Sequence, residues 1–289
     1  MTAARLLRTH LREGGGMLAA PGAYDGITAR MVAQAGYDAV YMTGAGVSAA
    51  HGYPDYGLLT LTEMAEAAGV LARSVNLPVI ADGDTAYGNE LNATRTVREY
   101  EMRGVAAIQI EDQVAPKRCG HLDGKEVVPR GEFAAKIAAA AAARRDPDFT
   151  IVARTDARAV ANLDEAVARA NLALKAGADV AFVEAPQTLE EVAAVPRLVR
   201  GPCLLNIVPG GRTPDLPLAE AQAMGYRIAI LPGLLLTAVM DVCDAALARL
   251  KQEGAAPAST SRPLLRERFR RLGAGEWDAL RHPLPPAAE

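Results

Sequence analysis

Three carboxylates in the first half of the chain are spaced as ligands of a cation would be. Asp82 and Asp84 stand two residues apart, so in an extended chain their side chains point to the same side. Glu111 closes the next predicted strand. Such carboxylates repel one another unless they are neutralised, and their hard oxygens suit Mg²⁺ that keeps some of its waters. The pattern predicts a magnesium site, against the alternative of a solvated acidic loop.

A cysteine lies among cations and a histidine in the segment Lys117-Arg118-Cys119-Gly120-His121. Positive neighbours favour the thiolate, so we predict that Cys119 is a reactive cysteine. Zinc is not expected, because Cys119 and His121 supply too few ligands for a zinc site. Cys203 and Cys243 lie in an apolar strand and an apolar helix, and both are predicted to be buried and inert.

Two further polar residues end predicted strands. Arg154 is suited to bidentate capture of a substrate carboxylate, and a structural ion pair with Glu184 is the rival interpretation. Asn206 follows two leucines and is either a hydrogen-bonded core amide or a ligand contact.

The composition of the 289-residue chain excludes several classes of protein. With 31 basic and 34 acidic residues the net charge is −3, and aromatic residues make up 4%, so nucleic acid is not an expected partner. The apolar run from Ile228 to Met240 is interrupted by Pro232-Gly233 and is too short to cross a bilayer. The charged N-terminal segment lacks the apolar stretch of a signal peptide, and the three cysteines show no CxxC spacing. We expect a cytoplasmic protein.

The elements that must position these residues alternate between short β-branched runs and Ala-rich helical stretches. This alternation predicts parallel strands joined by helical crossovers. Polar residues cluster at the C-terminal ends of the strands, where a (β/α)₈ barrel carries its chemistry, although loops are polar in any fold. Eight strands are predicted: Met17–Pro21, Ala39–Thr43, Pro78–Asp82, Ala106–Glu111, Phe149–Arg154, Val180–Glu184, Cys203–Asn206 and Arg227–Leu231.

The predicted fold class is therefore an α/β (β/α)₈ barrel over residues 1–252, followed by a linker and C-terminal helical extension over 253–289. The linker is placed at Glu253–Pro263 and a basic amphipathic helix at Leu264–Leu272. A doubly wound dinucleotide fold is the alternative. Gly44-Ala45-Gly46-Val47-Ser48-Ala49 matches its glycine fingerprint, with Glu63 or Glu66 as the acidic partner.

Six motifs, taken in order, resemble the isocitrate lyase/phosphoenolpyruvate mutase superfamily over about residues 17 to 250. They are YMTGAG from Tyr41, DGDTAYGN from Asp82, EDQ from Glu111, KRCGH from Lys117, RTDA from Arg154 and NIVPGGRTP from Asn206. The resemblance implies a (β/α)₈ barrel whose C-terminal helix is swapped between subunits of a dimer of dimers.

The resemblance also implies residue roles. Asp82 would hold Mg²⁺ (or Mn²⁺) most directly, and Asp84 and Glu111 would reach it through water. Cys119 would be the acid on a gating loop, Tyr41 would lie beside the substrate hydroxyl or enolate oxygen, and Arg154 would bind a carboxylate. The implied substrate-binding residues are Thr43, Gly44, Ala45, Asp55, Gly120, His121, Arg154, Glu184 and Asn206.

The implied activity is Mg²⁺-dependent cleavage of a carbon–carbon bond in a 2-hydroxy dicarboxylate, giving pyruvate or glyoxylate and a short carboxylic acid. Alternatives are a phosphonomutase of the carboxyphosphonoenolpyruvate type, an oxaloacetate hydrolase or decarboxylase, and a non-catalytic binding protein. Thr237 stands where methylisocitrate lyases have a carboxylate-binding arginine, so a tricarboxylate is less expected than a 2-alkylmalate. Pro209 replaces a glutamate and is expected to reshape the pocket wall, and Ala86 replaces a glycine.

Overall fold

The computed structural model describes residues 1–255 and 265–281. Eight parallel strands form a closed barrel in chain order, with β1 paired to both β2 and β8. The strands are β1 Leu18–Ala23, β2 Val40–Met42, β3 Val79–Asp82, β4 Ala107–Glu111, β5 Thr150–Thr155, β6 Val180–Val183, β7 Cys203–Asn206 and β8 Ile228–Leu231. All eight predicted strands are confirmed to within two residues at either end. The closed barrel overturns the doubly wound alternative.

Thirteen helices are present in the described part of the chain. They are α1 Ala3–Arg12, α2 Gly26–Gln34, α3 Gly44–Ala50, α4 Leu61–Ser74, α5 Glu90–Met102, α6 Arg130–Ala143, α7 Ala157–Val160, α8 Leu163–Lys175, α9 Leu189–Leu198, α10 Leu218–Met224, α11 Leu234–Glu253, α12 Leu265–Arg271 and α13 Ala274–Ala279. Most of the predicted linker Glu253–Pro263, and Leu264 of the predicted terminal helix, lie outside the described residues.

Local sequence signals explain where the helices begin and end. Thr60 and Glu63 form a capping box at the start of α4, so Glu63 caps a helix and does not bind a ribose. Glu66 forms a 2.6 Å ion pair with Arg103. Gly177, with φ 113°, follows the end of α8 and turns the chain toward β6, where a side chain would be strained.

The barrel is closed at its N-terminal end by α1. Leu7 of this helix is 1% exposed and packs in one cluster with interior strand residues such as Ile80 and Phe182. Arg8 donates to the carbonyl of Phe149 at 2.9 Å and forms an ion pair with Asp179. A cavity of about 400 Å³ also lies at this end, and its lining contains none of the sequence-predicted site residues: it consists of Leu6, Leu7, His10, Leu18, Asp38, Leu77 and Pro78.

The chain divides into two compact units, Met1–Ala238 and Val239–Glu289. The first contains the whole barrel. The second contains most of α11 together with α12 and α13, and none of the described residues in these three helices is buried. The prediction that Cys243 is buried is wrong: it is exposed, because α11 packs no face into a core. Among the described residues, no helix combines the length and apolarity needed to cross a membrane.

Candidate active site

A cavity of about 150 Å³ opens at the C-terminal ends of the strands. It is smaller than the roughly 300–1,000 Å³ of pockets that hold drug-sized ligands, which favours a small substrate. Most residues of the sequence-predicted site meet here. The lining consists of Tyr41, Thr43, Ala45, Asp55, Asp82, Cys119, His121, Arg154, Asn206, Val208, Ile230, Pro232 and Gly233.

The carboxylate of Asp82 is held rigidly at the floor of this cavity. Its Oδ2 accepts the backbone N–H of Gly44 at 3.2 Å, and its Oδ1 accepts the backbone N–H of Asp84 at 3.1 Å. The side-chain amide of Gln109 donates to the same Oδ1 at 3.2 Å. A Cβ on Gly44 would come within 2.6 Å of Asp82 Oδ2, so only glycine allows this approach. The backbone N–H of Gly44 therefore donates to Asp82, although the family resemblance implied that Gly44 binds the substrate.

The other two predicted metal ligands have carboxylate oxygens that lack hydrogen bonds. Asp84 Oδ1 and both Oε atoms of Glu111 are buried and receive no well-directed hydrogen bond in the described part of the chain, although Lys117 Nζ lies 3.0 Å from Asp84 Oδ1 and Arg154 Nε lies 3.3 Å from Glu111 Oε2. Burial raises the pKa of Asp84 to about 6, and it also raises the pKa of Glu111 well above its ordinary value. The two cationic side chains compensate part of this buried charge, and Glu111 Oε1 is left for a cation or water to satisfy. The residues therefore fit a divalent cation.

The manner of binding is limited by the separation of these groups. No three Asp, Glu, His or Cys side chains in residues 1–255 and 265–281 converge closely enough to hold an ion together. Direct coordination of one ion by all three carboxylates is therefore not what this arrangement of the described residues shows.

The backbone beside this site is strained. Asp84, Ala86 and Tyr87 have φ angles of 47°, 63° and 59°, in the left-handed region that favours glycine. Ala86, which departs from the glycine of the related motif, therefore adopts a glycine-like conformation without being glycine. Such strain is typical of functional loops that the surrounding structure holds in place.

The segment carrying Cys119 is closed over the cavity. A Cβ on Gly120 would come within 2.4 Å of an Arg154 nitrogen and 2.6 Å of Glu184, so the loop backbone packs directly on these side chains. Lys125 donates to the carbonyl of Gly120 and lies 3.0 Å from Asp156 Oδ1. From the segment after β7, Arg212 Nε donates to the carbonyl of His121 at 3.1 Å.

The expectation that cations make Cys119 a thiolate is wrong. Burial raises the pKa of the Cys119 thiol. Lys117 forms ion pairs with Asp55 and with Asp84, whose Oδ1 lies 3.0 Å away, so these carboxylates neutralise its positive charge. Arg118 lies over the ring of Tyr56, 5.9 Å from its centre. Cys119 is consequently a protonated thiol at neutral pH, which suits an acid.

Arg154 has a different partner from the one that the sequence suggested. Its Nε and terminal nitrogen bind the two oxygens of Asp156 at 2.9 and 3.1 Å, and Nε lies 3.3 Å from Glu111 Oε2. The guanidinium carbon also lies 5.2 Å from the centre of the Phe182 ring. The bidentate pair with Asp156 replaces the ion pair with Glu184 that the sequence analysis considered. It orients Arg154 where it lines the cavity.

Hydrogen bonds define the protonation of His121. Its Nδ1 accepts the backbone N–H of Arg212 at 3.0 Å, so the proton of the neutral ring is on Nε2. Nε2 lies 3.0 Å from Glu184 Oε1 and donates to it. Burial by itself would raise the pKa of Glu184, but Arg154 and His121 hold this pKa below its ordinary value.

Asn206 completes this side of the cavity. Its Nδ2 donates to Glu184 Oε1 at 3.2 Å, while its Oδ1 is buried without a hydrogen-bond partner in the structure. An acceptor without a donor on the cavity wall favours the ligand-contact interpretation of Asn206 over the core-amide one.

Sequence reasoning missed several residues of the site. Gln109 could have been noticed as a single polar residue within the apolar strand β4. Lys125 carried no local signal. Val208 and Arg212 belong to the NIVPGGRTP motif but were given no role, and the apolar wall that Val208 forms with Ile230 and Pro232 was not foreseen. Pro209 and Thr237 are both exposed and do not line the cavity, so Val208 shapes the wall that was ascribed to Pro209.

Comparison with known proteins matches this architecture to one family. The family model of phosphoenolpyruvate phosphomutase matches residues 7–251. The chain is 52% identical to 2,3-dimethylmalate lyase of Eubacterium barkeri over 217 residues, 75% of either chain. It is 41% identical to 2-methylisocitrate lyase of Aeropyrum pernix over 249 residues, 86% of this chain and 80% of that protein.

A solved structure of oxaloacetate acetylhydrolase with the inhibitor 3,3-difluorooxalacetate is also similar. It superimposes with a TM-score of 0.92 at 36% identity, covering 96% of this chain and 95% of that one. The family match spans every site residue described above.

Proposed function

The chain belongs to the phosphoenolpyruvate phosphomutase family, within the isocitrate lyase superfamily that its motifs resemble, and on that premise we propose that it is a carbon–carbon lyase. Its substrate is a 2-hydroxy dicarboxylate of the 2-alkylmalate type. The products are a 2-oxo acid, pyruvate or glyoxylate, and a short carboxylic acid. The similarity to 2,3-dimethylmalate lyase supports this substrate class.

The observation that carries the proposal is Cys119, a protonated thiol on a closed loop at the cavity. Cleavage of the C2–C3 bond leaves an electron pair on C3 that an acid must protonate. A phosphonomutase transfers a phosphoryl group and requires no proton at carbon. Cys119 therefore supports a lyase over the phosphonomutase alternative.

The apolar wall supports the choice of substrate. Val208, Ile230 and Pro232 line the cavity together with the charged groups. A methyl or alkyl substituent gains burial against such a wall, whereas oxaloacetate has no alkyl group to place there. The described lining of the cavity contains one arginine, Arg154, and no lysine, so it offers no further cation of this kind to a third carboxylate, which disfavours 2-methylisocitrate.

The reaction proceeds with a balanced exchange of protons. Arg154, oriented by Asp156, binds a substrate carboxylate, and Tyr41 lies beside the 2-hydroxyl. The hydroxyl proton passes to water on the C2 side of the site, the electron pair of the C2–C3 bond passes to C3, and C2 becomes the carbonyl of the 2-oxo acid. The Cys119 thiol then donates its proton to C3, and the resulting thiolate regains a proton from solvent before the next turnover. The closed loop keeps water away from the carbanionic carbon.

A divalent cation is part of the proposal. Asp82 would hold Mg²⁺, with Asp84 and Glu111 acting through water, and it would supply stabilisation of the negative charge on oxygen. Thr43, Gly44, Ala45 and Asp55 complete the binding site on one side, and Glu184 and Asn206 on the other. His121 and Gly120 contribute from the loop.

Assembly and location belong to the same proposal. The resemblance of the motifs to the superfamily implies a homotetramer. This assembly would be a dimer of dimers with swapped C-terminal helices. We place the enzyme in the cytoplasm, acting on a small carboxylate and without nucleic acid or membrane partners.

The test is release of a 2-oxo acid, measured in a coupled assay with Mg²⁺. The panel contains 2,3-dimethylmalate, methylmalates, 2-methylisocitrate, isocitrate and oxaloacetate. Release from an alkylmalate should be lost with EDTA and strongly reduced in Cys119→Ala. Cys243→Ala is the matched control, because that cysteine is exposed and outside the cavity.

The same panel can contradict the proposal. No release from any alkylmalate would reject it. Preferential turnover of oxaloacetate would favour the hydrolase or decarboxylase alternative. A phosphonate signal in phosphorus NMR, with phosphoenolpyruvate or its carboxyphosphono derivative, would favour the phosphonomutase.

A further inference from the structure

Gln109 connects two groups of the active site without a role of its own in the proposed reaction. It lies in β4 and is 1% exposed. Its Oε1 accepts the hydroxyl of Tyr41 at 2.7 Å, and its Nε2 donates to Asp82 Oδ1 at 3.2 Å. The strand register pairs Gln109 with Asp82 directly.

The orientation of the amide follows from its surroundings. Asp82 also accepts the backbone N–H groups of Gly44 and Asp84, so its carboxylate acts as an acceptor toward every neighbour named here. Only the NH₂ end of Gln109 can donate to that carboxylate, and its oxygen must then face Tyr41. The Tyr41 hydroxyl therefore donates its hydrogen bond to Gln109. The lone pairs of its oxygen are left to accept a hydrogen bond.

We propose that Gln109 is a positioning residue that holds the Asp82 carboxylate for the cation and makes the Tyr41 hydroxyl an acceptor toward the substrate hydroxyl. This inference rests on the proposed function and deepens it. Asp82 differs here from Asp84 and Glu111. Its carboxylate accepts two backbone N–H groups and the Gln109 amide, whereas Asp84 and Glu111 face the cationic side chains of Lys117 and Arg154. Gln109 thus holds the most direct ligand in place.

Metal binding without substrate tests the first part. Calorimetric titration of the full-length protein with Mn²⁺ should give an affinity about 10- to 100-fold weaker in Gln109→Met, as for other residues that orient a metal ligand. Gln109→His keeps one donor and one acceptor, and it should restore most of the affinity. If Gln109→Met does not fold, Gln109→Asn is the substitute, because its shorter side chain cannot span both partners.

A double-mutant cycle with Tyr41→Phe tests the second part. Because Tyr41 acts through Gln109, the double variant should lose little more kcat/KM than the more damaged single variant. Unchanged metal affinity in folded Gln109→Met, or fully multiplicative losses in the cycle, would overturn the inference. A merely structural role would lower Tm and leave the metal affinity of the folded protein unchanged.

The two proposals fail separately. The titration contains no substrate. It therefore tests whether Gln109 positions Asp82 for the cation, even if the native protein releases no 2-oxo acid. That second outcome would count against the proposed function alone.

Discussion

At the scale of single residues, the proposed reaction depends on the protonation state of Cys119. An acid must carry its proton at the start of each turnover, whereas the cationic neighbours of Cys119 in the sequence favour the thiolate. The structure resolves this conflict through geometry. Asp55 and Asp84 bind Lys117, and Glu184 pairs with His121, so acidic side chains face the positive charge that the sequence of the loop indicates. Burial then raises the pKa of the thiol.

This pKa predicts the alkaline limit of activity. A general acid works below its pKa, and activity falls as pH rises through that value. Since the pKa of Cys119 is raised, activity should persist at pH values where an ordinary thiol, with a pKa of about 8.5, is half ionised. The measurement is the pH profile of 2-oxo acid release, together with the rate of iodoacetamide alkylation of Cys119 against pH.

Alkylation is followed site by site by mass spectrometry, and Cys119→Ala, which lacks this thiol, is the control. Alkylation of Cys119 that is already complete near neutral pH would show a thiolate and contradict its role as an acid.

At the scale of elements, the loop after β4 depends on two cationic side chains from different parts of the chain. Lys125 attaches the loop to Asp156, the same carboxylate that orients Arg154. Arg212 attaches it to the segment after β7, through the carbonyl of His121 and the carboxylate of Asp123. Closure of the loop and the orientation of the substrate-binding arginine are therefore coupled through Asp156.

Arg212→Gln should loosen this loop. Asp123 is largely exposed, so most of the loss comes from the hydrogen bond to a carbonyl, roughly 0.5–1.5 kcal/mol, or about two- to tenfold in the population of the open loop. Trypsin cleavage after the exposed Arg118 should accelerate by this factor, because proteolysis follows the open population. The rate is measured by mass spectrometry under native conditions.

Arg200→Gln is the matched control for Arg212→Gln. Arg200 is exposed and, in the described part of the chain, has no side-chain ion pair. Equal cleavage rates in the two variants would mean that Arg212 does not hold the loop closed.

At the scale of the whole molecule, the second unit presents large apolar side chains to solvent. They include Val242, Leu247, Phe269 and Trp277, which are 57–70% exposed. Clusters of this kind on a chain usually mark a contact with another protein. This exposure supports the proposed exchange of C-terminal helices between subunits.

Removal of the helices after α11 tests that assembly. A chain ending at Glu253 lacks α12 and α13, and it should sediment as a smaller species than the intact protein. A chain ending at Arg281 retains both helices and serves as the control. If the chain ending at Glu253 keeps the sedimentation coefficient expected for the intact oligomer, these helices do not hold the subunits together.

The amino-acid sequence by itself determined the barrel and the position of its chemistry. Strand and helix periods, helix caps such as Thr60 and Asn89, and polar residues at strand ends are local properties that a single chain reveals. The cavity accordingly contains Asp82, Arg154 and Asn206, which were selected from their positions at strand ends, and Cys119, which was selected from its neighbours. Tyr41, Thr43, Ala45, Asp55 and His121 were expected from the family resemblance.

Only the tertiary structure decided what these residues do to one another. Lys117 meets Asp55 from 62 positions away, and Gln109 meets Tyr41 from 68. Arg154 pairs with Asp156, whereas the ion pair considered from the sequence was with Glu184. Hydrogen-bond partners and pKa values depend on distances between separate strands and on burial. Local spacing does not encode these quantities, because they arise only when the barrel closes.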